Sequence, residues 1–134
     1  MNWNKRYASD KMGPDTFFAG EGVLKVGPKT YPLDPELDAK YKNIKDQVPQ
    51  LRGGIVKFPN GHTVQATWWT QELGGEHPTH VEVIHKPPRG KDITDFPVHS
   101  SLTRVRTSLW GLGDHGDNLD HHQVNDLMEH VKGL

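Results

Sequence analysis

The sequence predicts an α+β fold, with one antiparallel β-meander of three or four strands between an N-terminal and a C-terminal helix. Two observations lead to this prediction. Apolar residues recur at helical spacing in residues 35–48 and 118–131, and they alternate with polar residues in the segments between. At 134 residues the chain is long enough for one domain with its own core. We expect a single α+β domain over residues 36–134, preceded by an arm.

The arm is expected over residues 1–35, as an extended segment, because four prolines and four glycines interrupt it. Only residues 23–26 alternate like a short strand. Two alternatives are open for the remainder. It is a loosely packed lead into the domain, or it is a clamp that becomes ordered on a protein partner.

The first helix is predicted over residues 35–48. Asp34 suits the N-cap, and Pro35 suits the first helical position, where a backbone N–H has no helical acceptor. An apolar stripe marks the face that packs: Leu37, Tyr41, Ile44 and Val48. Pro49 ends the helix.

A β-hairpin is predicted next, with strands at 54–58 and 63–69 around the turn Pro59-Asn60-Gly61. Glycine in the turn adopts positive φ angles without steric cost. Strand alternation gives the second strand two different faces. One carries Val64, Ala66 and Trp68, and the other carries Thr63, Gln65, Thr67 and Trp69.

The third strand is predicted over residues 77–85, which contain three histidines and a glutamate. Alternation puts His80 and Glu82 on one face and His85 on the other, with Val81 and Val83. Residues 102–110 alternate again and predict a fourth strand with Arg104 and Arg106 on one face. The competing interpretation is a helix capped by Ser100 or Ser101.

The chain is predicted to close with a loop over residues 111–117 and a helix over 118–131. Asp117 is its expected N-cap. The apolar stripe of this helix consists of Leu119, Val124, Leu127, Met128 and Val131.

Four residues are candidates for catalysis: His80, Glu82, Arg104 and Arg106. They lie on one surface if the third and fourth strands pack with these faces aligned. Cleavage of RNA without a metal needs a base for the 2′-hydroxyl proton, an acid for the leaving oxygen and cations for the phosphate. The alternative interpretation is that Glu82 and the arginines form cross-strand ion pairs on a solvated face.

Four further residues are candidates for substrate binding. Trp68 and Trp69 lie on the neighbouring strand, where an indole ring stacks well on a base. His85 and His99 are additional candidates.

With these residues, the segment 36–110 resembles the small microbial ribonucleases and the C-terminal nuclease toxin domains of bacterial polymorphic toxins. The resemblance rests on an antiparallel sheet behind an N-terminal helix and on the types of residue that the sheet carries. It implies a metal-independent endoribonuclease that binds RNA and needs no cofactor. His80 and Glu82 would then form the acid–base pair, and Arg104 and Arg106 the phosphate clamp.

Two other patterns in the sequence offer candidate chemistry. His77-Pro-Thr79 and His99-Ser-Ser101 match H-x-[ST], the repeated core of the two-histidine phosphoesterases, which would be a variant of phosphodiester chemistry. Residues 114–122, together with His130, are dense in Asp and His and offer ligands for a divalent metal. Helix capping explains Asp117 and Asp120 without any metal, and no metal is predicted.

A binding function is the rival prediction. The formal net charge of −1 provides no general basic field for a nucleic acid, and the absence of cysteine excludes disulfides and thiolate chemistry. The chain is then a small binding or structural module, of a phage or mobile-element type. It docks on a larger protein assembly through residues 1–35 and has no catalytic role.

Location is predicted from two absences. No apolar run approaches the length of a membrane span, and the N-terminus lacks the apolar core of a Sec signal. We expect no membrane contact, and a protein that is cytoplasmic or exported without a Sec signal.

Overall fold

A computed structural model describes residues 16–48, 50–71, 75–107 and 111–134. The described elements are β1 (Phe17–Gly20), β2 (Val23–Val26), β3 (Lys29–Pro32), α1 (Pro35–Gln47), β4 (Leu51–Lys57), β5 (Thr63–Gln71), β6 (Gly75–Lys86), β7 (Thr103–Thr107), β8 (Gly111–Asp117) and α2 (His121–Lys132). The strands form two antiparallel sheets, ordered β1-β2-β3 and β4-β5-β6-β8-β7. The α+β class is confirmed, but the single meander of three or four strands is replaced by sheets of three and five.

The five-stranded sheet separates two layers. Its core face carries Val64, Ala66 and Trp68 on β5, and these three side chains are buried. The three-stranded sheet and α2 pack on that face and complete the hydrophobic core with Phe17, Leu24, Val26, Val124, Leu127, Met128 and Val131. Its opposite face, the α1 face, carries Thr63, Gln65, Thr67 and Trp69 and lies beneath α1. The two predicted faces of the hairpin are therefore correct.

The short strand predicted at 23–26 is confirmed as β2, but the prediction of an extended arm is wrong for the rest of residues 16–35. Instead of interrupting structure, the glycines there make the turns of a small sheet: Glu21 and Gly22, between β1 and β2, have φ angles of 55° and 79°, which suit a two-residue hairpin loop. Phe17 of β1 also packs its ring against Trp68, with ring centroids 5.2 Å apart. Residues 1–15, the rest of the predicted arm, lie outside the described residues.

Helix α1 is confirmed almost to the residue. The Asp34 carboxylate accepts a hydrogen bond of 2.9 Å from the N–H of Leu37, and Pro35 is the first helical residue.

In the described ranges, no helix has both the length and the apolar character that crossing a membrane requires.

Helix α2 begins three residues later than predicted, and its N-cap is Asp120 rather than Asp117. The Asp120 carboxylate accepts from the N–H of Gln123 at 2.8 Å, and the Gln123 side chain accepts from the N–H of Asp120 at 2.9 Å. This reciprocal pair is a capping box. Asp117 belongs to β8, where it lies opposite Glu82 of β6.

Asp120→Ala should lower the free energy of unfolding by about 1 kcal/mol, because it leaves the first-turn N–H groups without their acceptor. Asp117→Ala is the matched control. Its exposed carboxylate caps no helix, and we expect a change within about 0.5 kcal/mol. Urea denaturation of both variants measures the difference. Equal losses would contradict the assignment of the cap.

Strand β8 replaces the predicted loop over residues 111–117. Three glycines in seven residues give this segment little intrinsic preference for a strand, so the sequence showed no alternation. Gly116 is required by close packing, since a Cβ there would lie 2.6 Å from a Leu102 side-chain carbon and 2.9 Å from the carbonyl oxygen of Ser101. Pairing with β6 and β7 on either side makes this segment a strand.

Strand β7 confirms the predicted fourth strand over Thr103–Thr107 and removes the helical alternative.

Candidate functional site

The four candidate catalytic residues do not share a surface. Strand β8 lies between β6 and β7, so the two strands that carry them are not neighbours. Glu82 lines the α1 face, whereas Arg104 lies on the core face, where it contacts Asp114. Arg106, two residues further along β7, is exposed. The structure therefore does not assemble the arrangement on which the ribonuclease prediction rested.

His80 is separated from Glu82 by a β-bulge. Between the pairs Thr67–Glu82 and Trp69–Thr79, two residues of β6 lie opposite one residue of β5. His80 is one of these two and has a φ of 54°, in the left-handed region. The bulge breaks the regular alternation that had placed His80 beside Glu82, and the exposed His80 does not line the groove described below.

Arg104 belongs instead to a polar row across the core face. In the register of the sheet, His85 of β6 lies opposite Asp114 of β8, and Asp114 lies opposite Arg104 of β7. The Arg104 guanidinium donates to both carboxylate oxygens of Asp114, at 2.9 and 3.3 Å, and to the Phe96 carbonyl at 2.7 Å. Asp114 is completely buried. Its charge is neutralised by this bidentate pair, as a buried carboxylate requires.

Two buried histidines extend the row. His62, from the turn between β4 and β5, has its Nδ1 2.9 Å from Nε2 of His85, and His85 Nδ1 lies 3.7 Å from Asp114 Oδ2. Burial, followed by the neighbouring His62, lowers the pKa of His85 to about 4, although Asp114 acts in the opposite direction. Burial also lowers the pKa of His62. Both rings are therefore neutral at pH 7.

His99 is held in a second histidine–carboxylate contact. Its Nδ1 accepts a hydrogen bond from the N–H of Ser101 at 3.1 Å, so Nε2 carries the proton and donates to Asp126 of α2 at 2.7 Å. Both ring nitrogens are occupied. The contact fastens the segment before β7 to α2 and leaves no lone pair for general base catalysis.

The core-face row is a structural network. His62 and His85 are each 1% exposed and Asp114 is completely buried, so these three groups offer no surface to a substrate. Trp68, a predicted base-stacking residue, is also buried, at 2%. Of the residues predicted to bind substrate, only Trp69 is exposed.

The weaker sequence patterns gain no support. No three His, Asp or Glu side chains in the described part of the chain are arranged to hold a metal ion. Asp114 and Asp120 already serve Arg104 and the α2 cap. Of the two H-x-[ST] histidines, His99 is held by its hydrogen bonds with Ser101 and Asp126. The side chain of the other, His77, lies outside the described residues.

A groove lies between α1 and the α1 face of the sheet, with a volume of about 480 Å³. Its walls are mainly apolar and come from three elements: Leu37, Tyr41 and Ile44 of α1, Leu51 and Ile55 of β4, and Trp69 of β5. Ile44 and Trp69 remain 48% and 41% exposed. The predicted stripe of α1 is therefore only partly covered, and the uncovered part faces the groove.

The groove also has a polar part, which Tyr41 shares with four polar or charged residues: Lys40, Gln65, Thr67 and Glu82. Tyr41 is 6% exposed, and its hydroxyl has no hydrogen-bond partner among the described residues. Burial raises the pKa of Tyr41, and the carboxylates of Asp38 and Glu82 raise it further, so the hydroxyl keeps its proton. Glu82 is half-buried. Glu82 was predicted to be catalytic and Trp69 to bind substrate, and both line this groove.

The sequence reasoning missed His62, Tyr41 and Asp114 as members of these two sites. One signal was present: alternation placed His85 with Val81 and Val83 on a face that proved to be the core, and a core histidine needs polar partners. Which residues supply them depends on the strand order, and Tyr41 had been assigned to an apolar stripe.

Comparisons with family models, with curated proteins and with solved structures each gave no match.

Proposed function

We propose that this protein is a binding module that receives an apolar segment of a partner protein in the groove between α1 and the sheet. The observation that carries the proposal is the groove, with six apolar or aromatic side chains around about 480 Å³ and two of them strongly exposed. Large apolar side chains clustered at a concave surface are characteristic of interaction sites.

A protein segment suits the groove better than an enclosed small molecule. Ile44 and Trp69 stand at opposite walls, on α1 and β5, and both present surface to solvent. A segment that lies along the groove would bury both, and tryptophan is among the residues that contribute most when it is buried at an interface. In an enclosed ligand site such side chains would already be largely buried.

Selection from a library of random peptides tests the proposal directly. We expect the purified chain to enrich peptides with two or more large apolar residues. Trp69→Ala should weaken binding of the enriched peptides at least about tenfold, because it removes the largest exposed side chain of the groove. Isothermal titration calorimetry measures both dissociation constants.

Phe18→Ala is the matched control for this substitution. Phe18 is 49% exposed but lies on β1, in the other sheet, so its removal also deletes an exposed aromatic ring. We expect unchanged peptide affinity. Failure to enrich any peptide, or equal losses in the two variants, would contradict binding in the groove.

A further inference from the structure

The Tyr41 hydroxyl is an unusual feature of a groove whose walls are mainly apolar. It is buried, and no described residue lies within hydrogen-bond distance of it. Leaving a buried hydroxyl unpaired costs free energy, so native structures rarely keep one without a reason. A phenylalanine would provide the same ring without that cost.

Glu82 provides a negative charge in the same groove. No described residue forms an ion pair with it, and two other described cations, Lys45 and Arg104, have other contacts. Lys45 donates to the Gly53 carbonyl at 2.8 Å, lies 4.0 Å from Asp38 and sits over the Tyr41 ring. Arg104 lies on the opposite face of the sheet, with Asp114. Lys40, although it lines the groove, is not within ion-pair distance of Glu82.

These two groups call for the same kind of ligand. The Glu82 carboxylate accepts hydrogen bonds only, and the Tyr41 oxygen has accepting lone pairs as well as its proton. A cationic group has several N–H donors and no acceptor, so one such group satisfies both oxygens and neutralises the carboxylate. An anionic group would be repelled by Glu82, and an apolar one would leave both oxygens unpaired.

We infer that the partner segment inserts a lysine or arginine side chain into the groove, with its cationic end between Glu82 and the Tyr41 hydroxyl. The inference rests on the proposed function, because it names the side chain that the same groove selects. The long aliphatic stem of either residue packs on the walls formed by Leu37 and Ile55, as such stems do on apolar surfaces. The basic end provides specificity, while the apolar walls provide contact area.

A double-mutant cycle between protein and peptide tests this. The peptides enriched on the wild-type chain should carry Lys or Arg at one fixed position. For a lysine peptide, replacement of that lysine by norleucine should weaken binding about tenfold to the wild-type chain and less than about threefold to the Glu82→Gln variant. The effects are then coupled, because either change removes the same ion pair.

Tyr41→Phe provides a second, independent measurement. It should weaken binding of the lysine peptide several-fold and leave binding of the norleucine peptide unchanged. The folded chain should be as stable as the wild type or more so, since an unpaired buried hydroxyl is removed. Glu36→Gln, which removes an exposed carboxylate outside the groove, controls for net charge and should change neither affinity.

The possible failures are distinguishable. If no peptide binds with dependence on Trp69, the proposed function fails and the inference fails with it. If peptides bind through Trp69 but carry no basic residue, or if norleucine costs the same affinity in both backgrounds, the groove remains a binding site and the basic anchor is refuted.

Discussion

Asp114→Asn is expected to lower the free energy of unfolding by about 3 kcal/mol, the largest loss that we predict for a single substitution outside the hydrophobic core. The asparagine keeps the shape of the carboxylate but not its charge. Arg104 would then be left without its counterion, although only 23% of its side chain is exposed. Of the two N–H groups that donate to the carboxylate, one would face the NH₂ group of the asparagine, and the other would donate to an uncharged amide oxygen, which is a weaker acceptor. Urea denaturation at neutral pH measures the loss.

Burial, rather than hydrogen-bond length, is the cause of this effect. Asp126→Asn is the control, because Asp126 makes the shorter contact, 2.7 Å to His99, from a side chain that is 76% exposed. Solvent replaces that partner, so we expect a loss below about 1 kcal/mol. The double variant Asp114→Leu with Arg104→Met should recover most of the stability, since it removes both charges together. Equal losses at Asp114 and Asp126 would contradict the argument.

The local part of the fold was predictable because local chemistry determines it. Asp34 and Pro35 mark the start of α1 through capping and a fixed φ, and the alternation around Trp68 separates the two faces of β5. The Asn60-Gly61 turn connects β4 and β5 into the predicted hairpin, and Gly61 has the expected positive φ, 90°. Each of these signals acts within a few residues.

The non-local part was not predictable, and β8 shows why. Its glycines have little intrinsic preference for a strand. It becomes a strand because its backbone pairs with β6 on one side and β7 on the other. Its insertion between them separates Glu82 from Arg104 and creates the pair of Arg104 with Asp114. A prediction of adjacent strands from their order in the sequence therefore brought the wrong side chains together.

The candidate site was predictable only in part, for the same reason. Trp69 and Glu82 were selected because of their residue types, and they do line one groove. They do so through packing with Tyr41 and Ile44 of α1, and no pattern in the sequence shows which face of the sheet that helix covers. The polar row on the core face stabilises one side of the sheet, and the groove on the α1 face gives its other side the proposed binding site.

Acidification should destabilise the chain through the buried histidines of that row. The pKa of His85 is lowered to about 4 in the folded state, and a histidine in an unfolded chain has a pKa of about 6.5. Between these values the unfolded chain binds the proton and the folded chain does not. Stability is therefore complete above about pH 6.5 and falls as the pH falls toward 4. From about pH 7 to about pH 4.5 the loss from His85 is roughly 2 kcal/mol, and the lowered pKa of His62 acts in the same direction.

This effect is isolated by comparing how steeply the free energy of unfolding depends on pH, rather than by comparing its value at one pH. His85→Gln removes the titrating group, so the free energy of unfolding should depend less steeply on pH, even though the variant is less stable at neutral pH. The same substitution at His122, which is exposed on α2, should keep the wild-type slope. Urea denaturation of the three chains across this range measures all the slopes. If His85→Gln keeps the full wild-type dependence, protons are taken up elsewhere on unfolding, and the buried row is then not the acid-sensitive part of the fold.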